Sequence, residues 1–503
     1  MTRSRYLPPV ALAALAALVA VPVEYATTDQ PLEALEALVA VALAGALACL
    51  VVSLPGVTAR GLAFGGFFVG AGILSWSYSE RPLVVWALLI VEGLLFAYWS
   101  APWLRHLRPA TGLGSAWLGE AYWLLGIVGA VLVLHPKVAA QRMLYAGVFG
   151  LAVLAVVASV ANHRRTSPAT DGDAGGGDGN DGDGDDGRAR PDLSIGVAAA
   201  FLAAIAALLV SGAGNLFDTD HVVVAGAWGE SMHLRFWGGE WLLYHPNSLA
   251  GIAVAACMRI GPDRRFAAWQ RLAVTAVAGS VIYLTNSRTG FVFLATVGVV
   301  HAALLWWRRR RPVVDLPEYQ GRGLLVAAAT PFLVLLLVLV ASGGQGFLFK
   351  NRYDSGGFTS GRTATWAQVG TDWLDAGPAE KLFGDAQTAR AVVHRESSGT
   401  EVDLTTDNAA VGALRRGGAL GVVAYLLGLF LLLRRAARRQ TPAWFIVAAV
   451  GVLPTMATAD WVLGGTGGTI WVLLLVGEAG LAALTGSGTT SPDGAVRTST
   501  ATP

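Results

Sequence analysis

The stretch LSIGVAAAFLAAIAALLVSG, residues 193–212, decides the fold class because it holds no charged side chain. A run of about 20 apolar residues is what an α-helix needs to cross the hydrocarbon core of a bilayer. Runs of 16 to 22 apolar residues recur along nearly the whole chain of 503 residues. Only 14% of the residues are charged, against about 25% in soluble proteins, and the mean hydropathy is +0.54. The composition therefore predicts an all-α, polytopic integral membrane protein.

Apolar windows of about 20 residues predict about 12 to 14 transmembrane helices. If the N-terminus lies in the cytoplasm, alternation of the spans places nearly every dense basic cluster on the inner side, as the positive-inside rule requires. The windows cover residues 8–23, 33–54, 58–76, 82–98, 115–134, 141–162, 193–212, 244–260, 267–285, 290–307, 323–341, 417–433, 443–459 and 467–485.

The windows and the polar segments between them divide the chain into four parts. Residues 1–162 carry the N-terminal spans, and residues 163–192 are predicted to be a disordered cytoplasmic linker because they are rich in Asp and Gly. A calcium-binding repeat is the other interpretation of this tract, which lacks the regular period of such repeats. A second membrane domain covers 193–485, and 486–503 form a disordered tail. The second domain contains a long outer loop, 342–412, expected to carry short helices.

Several kinds of chemistry are excluded by what the sequence lacks. The two cysteines, Cys49 and Cys257, both fall within apolar runs, which argues against a disulfide scaffold or a cysteine metal site. The sequence contains no HExxH motif, P-loop or nucleophile elbow. We therefore expect no metal, no cofactor and no nucleic-acid partner.

Arginines on the outer side stand against the charge bias that orients the chain. A guanidinium keeps its charge and offers several fixed donors, so arginines that converge near a membrane surface suit a phosphate or pyrophosphate group. Each could instead snorkel to lipid headgroups or pair with a loop carboxylate. The outer arginines considered for substrate binding are Arg235, Arg288, Arg362, Arg415 and Arg416.

The long outer loop is predicted to carry a helix that begins near Ser360. Trp366, Val369 and Trp373 recur at helical spacing and would form one apolar face, and residues 377–378 would end the helix. Such a helix could lie at the membrane interface or pack on the neighbouring spans.

The outer face offers few groups that could transfer a proton. His245, Pro246 and Asn247 open a span, where Pro is well tolerated and Asn could cap free amides. A capping role is therefore one interpretation of this motif. The titratable groups predicted on this face, apart from His245, are Glu230, Glu240, His394, Asp403 and Asp407.

Five short motifs in this order resemble the O-antigen ligase family, which includes the related O-antigen polymerases. The resemblance covers roughly residues 230–435. The motifs are LRFWGGEWLLYHPNSLAG (234–251), LTNSRTGFVF (284–293), SGRTATWAQV (360–369), LFGDAQ (382–387) and TTDNAAVGALRRGGALG (405–421).

The resemblance implies a membrane glycosyltransferase of cell-envelope polysaccharide biosynthesis. Such an enzyme moves a glycan from a polyprenyl (undecaprenyl) pyrophosphate carrier to an acceptor hydroxyl on the outer face of the cytoplasmic membrane, without a metal. Arg235, Arg288 and Arg362 match the family's arginines and would hold the pyrophosphate. His245 and Asn247 match its helix-opening motif, and Trp366 its loop tryptophan.

The general base of the implied site has two candidates, Asp407 and His394. Many family members carry a His-Asn pair where this chain has Asp407 and Asn408. Aspartate is normally a weaker base than histidine, so Asp407 would need a favourable environment, and His394 is the alternative. Ligase and polymerase differ in their acceptor, which could be a glycan, a lipid or a protein, and no motif distinguishes them.

The alternative function is transport of an anion or small solute, with the outer arginines as an anion funnel. Transporters bind their cargo near the membrane midplane, where Glu92 is a candidate charge. A structural membrane component without catalytic activity is a third possibility, favoured only by Asp407.

Overall fold

The structure is a computed structural model that describes a little over two fifths of the chain. The expected spans 8–23, 141–162, 323–341 and 467–485, the linker 163–192 and the tail 486–503 lie outside the described residues. The spans 82–98, 115–134 and 443–459 are described in part. The described residues are 33–76, 87–88, 90–96, 98, 128–129, 131–132, 193–213, 216, 235–239, 242–261, 263, 266–310, 362–385, 391–395, 401–405, 408–437, 445–446 and 449.

Helices account for most of the described residues. The first six begin and end within a few residues of apolar windows, because such runs bury best when every backbone group bonds within its own helix. The helices are α1 (Glu33–Ser53), α2 (Ala59–Trp76), α3 (Leu193–Ser211), α4 (Pro246–Ile260), α5 (Ala268–Leu284), α6 (Arg288–Arg310), α7 (Arg362–Asp375), α8 (Pro378–Phe383) and α9 (Ala409–Ala436).

Helix α3 lies at the centre of the first group of helices and packs against α1, α2 and α4. Small residues let α2 and α3 approach closely. A methyl group added at Gly61 would lie 2.6 Å from the Cα atom of Gly196, and one at Gly65 would lie 2.5 Å from the Cβ atom of Ala200. Small residues four apart at such a contact are typical of helix pairs in membranes.

Buried polar contacts hold the C-terminal end of α4, which the charge pattern assigns to the inner side. The guanidinium of Arg259 is fully buried, and its Nε atom donates to Ser194 Oγ at 2.6 Å. Its Nη1 atom pairs with Asp263 at 2.7 Å. Nearby, Gln270 Nε2 donates to the carbonyl oxygen of Ser53 at 2.8 Å. These bonds join the start of α3 to the end of α4, and the end of α1 to the start of α5.

A short β-hairpin departs from the all-α prediction. Strand β1 (Ala391–Arg395) pairs antiparallel with β2 (Glu401–Thr405), and His394 lies opposite Val402. The strands are only five residues each and sit in a polar loop, so no apolar window marks them. Their β-branched residues, such as Val392, Val393 and Val402, favour extended backbone.

Two of the described helices, α3 and α9, are long and apolar enough to cross a membrane, by length and composition. Helix α9 also keeps an apolar face outward. Leu420, Val423, Leu426, Leu427 and Phe430 on this face are all exposed. The helix is broken at Gly418, whose φ of 60° and ψ of −156° are not helical. The predicted span 417–433 therefore begins at the break.

Candidate functional site

The segment that carries Arg235 precedes α4 and runs beside the end of α5. Its backbone is fixed by a bond from Phe236 N to the carbonyl oxygen of Leu284, at 2.8 Å, at the end of α5. A turn at Gly238, which adopts a φ of 110°, brings Tyr244 N to within 2.7 Å of the carbonyl oxygen of Trp237. Arg235 is thereby held beside both the start of α4 and the turn between α5 and α6.

Arg235 is buried, with 3% of its surface exposed. Its Nε atom donates to the carbonyl oxygen of Thr285 at 3.0 Å, and its Nη2 atom donates to Asn247 Oδ1 at 3.0 Å. Both of these acceptors are neutral groups. A guanidinium stays charged even out of water, and its fixed donors hold these two acceptors in place.

Asn247 links Arg235 to the start of α6. The hydroxyl of Ser287 donates to Asn247 Oδ1 at 3.0 Å, and the same Oγ atom accepts from Gly290 N at 3.0 Å. Ser287 is thus the N-cap of α6, and Asn247 accepts from Arg235 and Ser287 at once. The capping interpretation of Asn247 is wrong in this respect, because its side-chain oxygen is used by these two donors rather than by the amides of α4.

His245 and Pro246 occupy the positions expected at a helix start. Pro246 is the first residue of α4, and His245 is the N-cap residue, although its side chain makes no capping hydrogen bond. The His245 ring lies edge to face against Trp237, with ring centroids 5.2 Å apart. The imidazole is therefore oriented by an aromatic contact.

Arg288 is the first residue of α6 and directly follows Ser287. Because Ser287 bonds to Asn247 in the first turn of α4, the backbone of Arg288 lies close to the start of α4. The turn before it contains Asn286, which adopts a φ of 46°, a conformation that asparagine tolerates better than most residues. The amino ends of α4 and α6 therefore lie together beside Arg235, and helix amino ends favour negative charge.

We call Arg235, Asn247, Ser287 and the backbone start of α6 the arginine cluster. Sequence reasoning identified Arg235, Asn247 and Arg288 but did not single out Thr285 or Ser287. A signal for Ser287 exists, because serine immediately before a helix that begins at Arg288 is a typical N-cap.

Most of the other expected site residues sit on α7 or at the start of α9, and these two helices pack together with α8. Arg415 Nε pairs with Asp385 Oδ2 at 3.0 Å, and Asp385 N donates to the carbonyl oxygen of Arg415 at 2.7 Å. This is the loop-carboxylate pairing considered as an alternative for the outer arginines. Arg416 is half-buried one residue later. Asp385 lies within the LFGDAQ motif, but the sequence does not mark it as the partner of Arg415.

Asn408 and Trp366 have identifiable places in this second group. Asn408 caps α9, with its Oδ1 atom accepting from Ala410 N at 3.0 Å and Val411 N at 3.1 Å. Trp366 is half-buried on α7, between the buried side chains of Thr365 and Val369 in sequence. Helix α7 packs against α9 and the hairpin, and its position at the membrane interface stays a prediction.

Three predicted residues are placed only in part. Arg362 is the first residue of α7 and His394 lies in β1, whereas Asp407 lies outside the described residues. The substrate and catalytic roles of all three stay predictions. Within the described part of the chain, the helices of the arginine cluster share no extended packing surface with α7, α8 or α9.

The described residues include no group of three His, Cys, Asp or Glu side chains that could hold a metal ion. Comparison with known proteins adds no identification: no family model matches the chain, and no curated protein is significantly similar to it. The class of protein therefore rests on the residues and their geometry.

Proposed function

We propose that the protein is a membrane glycosyltransferase that moves a glycan from a polyprenyl-pyrophosphate carrier to an acceptor hydroxyl. The observation that carries the proposal is the hydrogen-bonded chain from Arg235 through Asn247 to Ser287. It joins two of the motifs that resemble the O-antigen ligase family and brings Arg288 to the same place.

The contacts between helix ends support a multi-pass arrangement in which the arginine cluster lies on the outer side of the membrane. Arg259 bonds to Ser194, and Gln270 bonds to Ser53. The charge pattern assigns the helix ends of all four residues to the inner side. Gly72 and Tyr244, which are in contact, belong to ends assigned to the outer side. The exposed apolar face of α9 fits the hydrocarbon of the bilayer of a cytoplasmic membrane.

The arginine cluster suits a pyrophosphate leaving group. In the proposed reaction the acceptor hydroxyl oxygen forms a bond to the anomeric carbon while the bond from that carbon to the pyrophosphate oxygen breaks. Negative charge then builds on the pyrophosphate, and a fixed guanidinium and two helix amino ends stabilise it without rearrangement. Arg288 is expected to contact the leaving group, and the hydroxyl proton passes to Asp407 or His394.

Arg235 supports this site chiefly as a positioning residue. It is buried and binds the backbone of Thr285 and the side chain of Asn247, so it sets the relation between the α5–α6 turn and α4. Its charge still contributes to the field at the helix starts.

The test is turnover of a lipid-linked glycan by the full-length protein in proteoliposomes. The donor is polyprenyl-pyrophosphate glycan extracted from the producing cell's own membranes, supplied with the envelope fraction as the source of acceptor. Wild type should release polyprenyl pyrophosphate and transfer the glycan. Arg288→Ala should lower the rate by about 100-fold or more, the usual effect of losing one preorganised donor.

The matched control is Arg434→Ala, which removes an exposed arginine from the far end of α9. It should turn over donor at the wild-type rate. A folded wild-type protein that leaves both native donor and acceptor untouched would overturn the transferase proposal.

Transport of an anion or small solute is the second candidate, and Glu92 favours it. One oxygen of this carboxyl is buried within a predicted span, where ionisable groups often mark a substrate or ion pathway. A transporter should lose flux in liposomes when Arg235 or Arg288 is replaced, and it should leave a lipid-linked glycan intact.

A further inference from the structure

Glu92 lies on a helical segment, 90–96, that packs against α2. Phe96, one turn later, stacks on Phe67 with ring centroids 4.4 Å apart and meets Phe64 edge to face at 5.2 Å. Glu92 points toward the same neighbour, since a methyl group placed on Gly70 would collide with its Oε1 atom. Glu92 and Phe96 therefore share the face that meets α2.

The opposite side of this segment is apolar and open. Val91, Leu94 and Leu95 are 51%, 65% and 63% exposed. Glu92 itself is only half-buried, and it is the one charged residue in the predicted span 82–98. The carboxyl is thus held between α2 and a surface that suits lipid.

The depth of Glu92 follows from the two predicted spans. It lies two residues from the middle of 82–98, and its neighbour Gly70 lies three residues from the middle of 58–76. At 1.5 Å per helical residue, both estimates place the carboxyl within about 5 Å of the midplane.

The surroundings offer little to balance a negative charge. Within the described residues the Glu92 Oε2 atom is buried and has no hydrogen-bond partner. Helix α2 carries one charged residue, Arg60, which is ten positions and so about 15 Å along the helix from Gly70. Helix α3, which packs on α2, carries none, and among the described residues Tyr244 meets α2 at Gly72.

We propose that Glu92 is an intramembrane proton-binding site, occupied by a proton at neutral pH. An ionised carboxylate in hydrocarbon costs several kcal/mol unless it is paired, whereas the neutral acid costs far less. Gly70 provides the space in which the acid sits. The site is independent of the arginine cluster and of the transferase reaction.

The test uses dicyclohexylcarbodiimide, a lipid-soluble reagent that requires a protonated carboxyl. The acid gives its proton to a reagent nitrogen, the carboxylate oxygen bonds to the central carbon, and rearrangement leaves a stable acylurea that retains every atom of the reagent. Full-length protein in liposomes at pH 7 is treated, digested and analysed by mass spectrometry. The peptide that contains Glu92 should carry one adduct, and Glu92→Gln should carry none there.

Asp375 on α7 is the matched control carboxyl, because its side chain is exposed whereas Glu92 lies within a predicted span. The lipid-soluble reagent should label Asp375 much less than Glu92. A water-soluble carbodiimide with an added amine should reverse the preference. Raising the pH should reduce the label on Glu92.

A further variant ensures that a negative result is decisive. Leu95→Glu in the Glu92→Gln background places a carboxyl on the exposed side of the same segment and reports whether the reagent reaches this depth. If Leu95→Glu is labelled and wild-type Glu92 is not, Glu92 is ionised or paired, and the proposal is wrong. Labelling of Glu92 that does not change with pH would also contradict it.

Discussion

Asn247 is the residue on which the arginine cluster depends, because its single amide oxygen receives both Arg235 and Ser287. An isosteric carboxylate at this position would add a charge beside the guanidinium and cancel the field proposed to hold a pyrophosphate. The neutral amide avoids this while it still fixes the geometry. The choice of Asn over Asp therefore matters as much as the presence of Arg235.

At the same scale, Ser287→Ala should destabilise the protein by about 1 kcal/mol. It removes both the cap of α6 and the hydrogen bond to Asn247. The measurement is thermal unfolding in detergent. Thr296→Ala is the control, because the Thr296 hydroxyl only bonds back to Val292 within α6, and its loss should shift the midpoint much less. Equal shifts for the two variants would mean that Ser287 does not hold the helix start.

The sequence predicts most residues of the arginine cluster, but it does not predict the hydrogen bonds that join them. Arg235, Asn247 and Arg288 are conspicuous as residue types on the outer side. Arg235 and the carbonyl of Thr285 are 50 positions apart, however, and Asn247 and Ser287 are 40 apart. Hydropathy and spacing report local structure, so they carry no information about which of these distant groups share a hydrogen bond.

At the scale of elements, the break at Gly418 in α9 packs directly against the end of α8 in the outer loop. Gly418 and Gly384 both adopt positive φ, and a methyl group on Gly418 would lie 2.5 Å from the carbonyl oxygen of Leu382. The Arg415–Asp385 pair lies at the same joint. Helix α8 is therefore fixed against α9 by backbone contact as well as by charge.

Gly418→Ala should lower the free energy of unfolding by about 2 kcal/mol or more, because alanine is strained at this φ and meets the Leu382 carbonyl. Gly370→Ala, on an open face of α7, should instead raise it by about 0.5 to 1 kcal/mol. Denaturant or thermal unfolding of the two variants checks the difference in sign. A neutral Gly418→Ala would show that the break is not needed.

The contact between α2 and α3 supplies a second element-scale prediction. Gly61→Ala places a methyl group against the backbone of Gly196 and should cost about 1 to 3 kcal/mol. Gly45→Ala, on α1, meets nothing within 4 Å and should be neutral or slightly stabilising. Thermal unfolding in the same detergent compares them, and equal midpoints would contradict the close packing.

Elements differ in how far the sequence predicts them. Long apolar runs mark α1 to α6 because each helix buries a whole stretch. The hairpin and the break at Gly418 depend on short local conformations in polar or glycine-rich segments, and they produce no apolar periodicity. The sequence predicts a span that begins at Gly417, and the break at Gly418 separates this span from the helical turn segment that begins at Ala409.

For the whole molecule, the proposed topology predicts which surfaces face outward. In a background in which Cys49 is replaced by serine, Asp375→Cys on α7 should react with a membrane-impermeant maleimide added to intact spheroplasts. Ala437→Cys, just after α9, should react only once the membrane is broken. Cys257 is buried and should stay unlabelled in both. The reverse pattern would invert the orientation and place the arginine cluster inside.

The burial of Arg235 has a consequence for the ionic strength at which the protein works. Mobile ions screen charges at the surface over about 8 Å in physiological salt, but they do not enter a site from which water is excluded. With 3% of its surface exposed, Arg235 keeps its influence on the helix starts as salt rises. Attraction of an anionic headgroup to this cluster should therefore vary little between dilute and concentrated media, unlike capture by arginines that face the solvent.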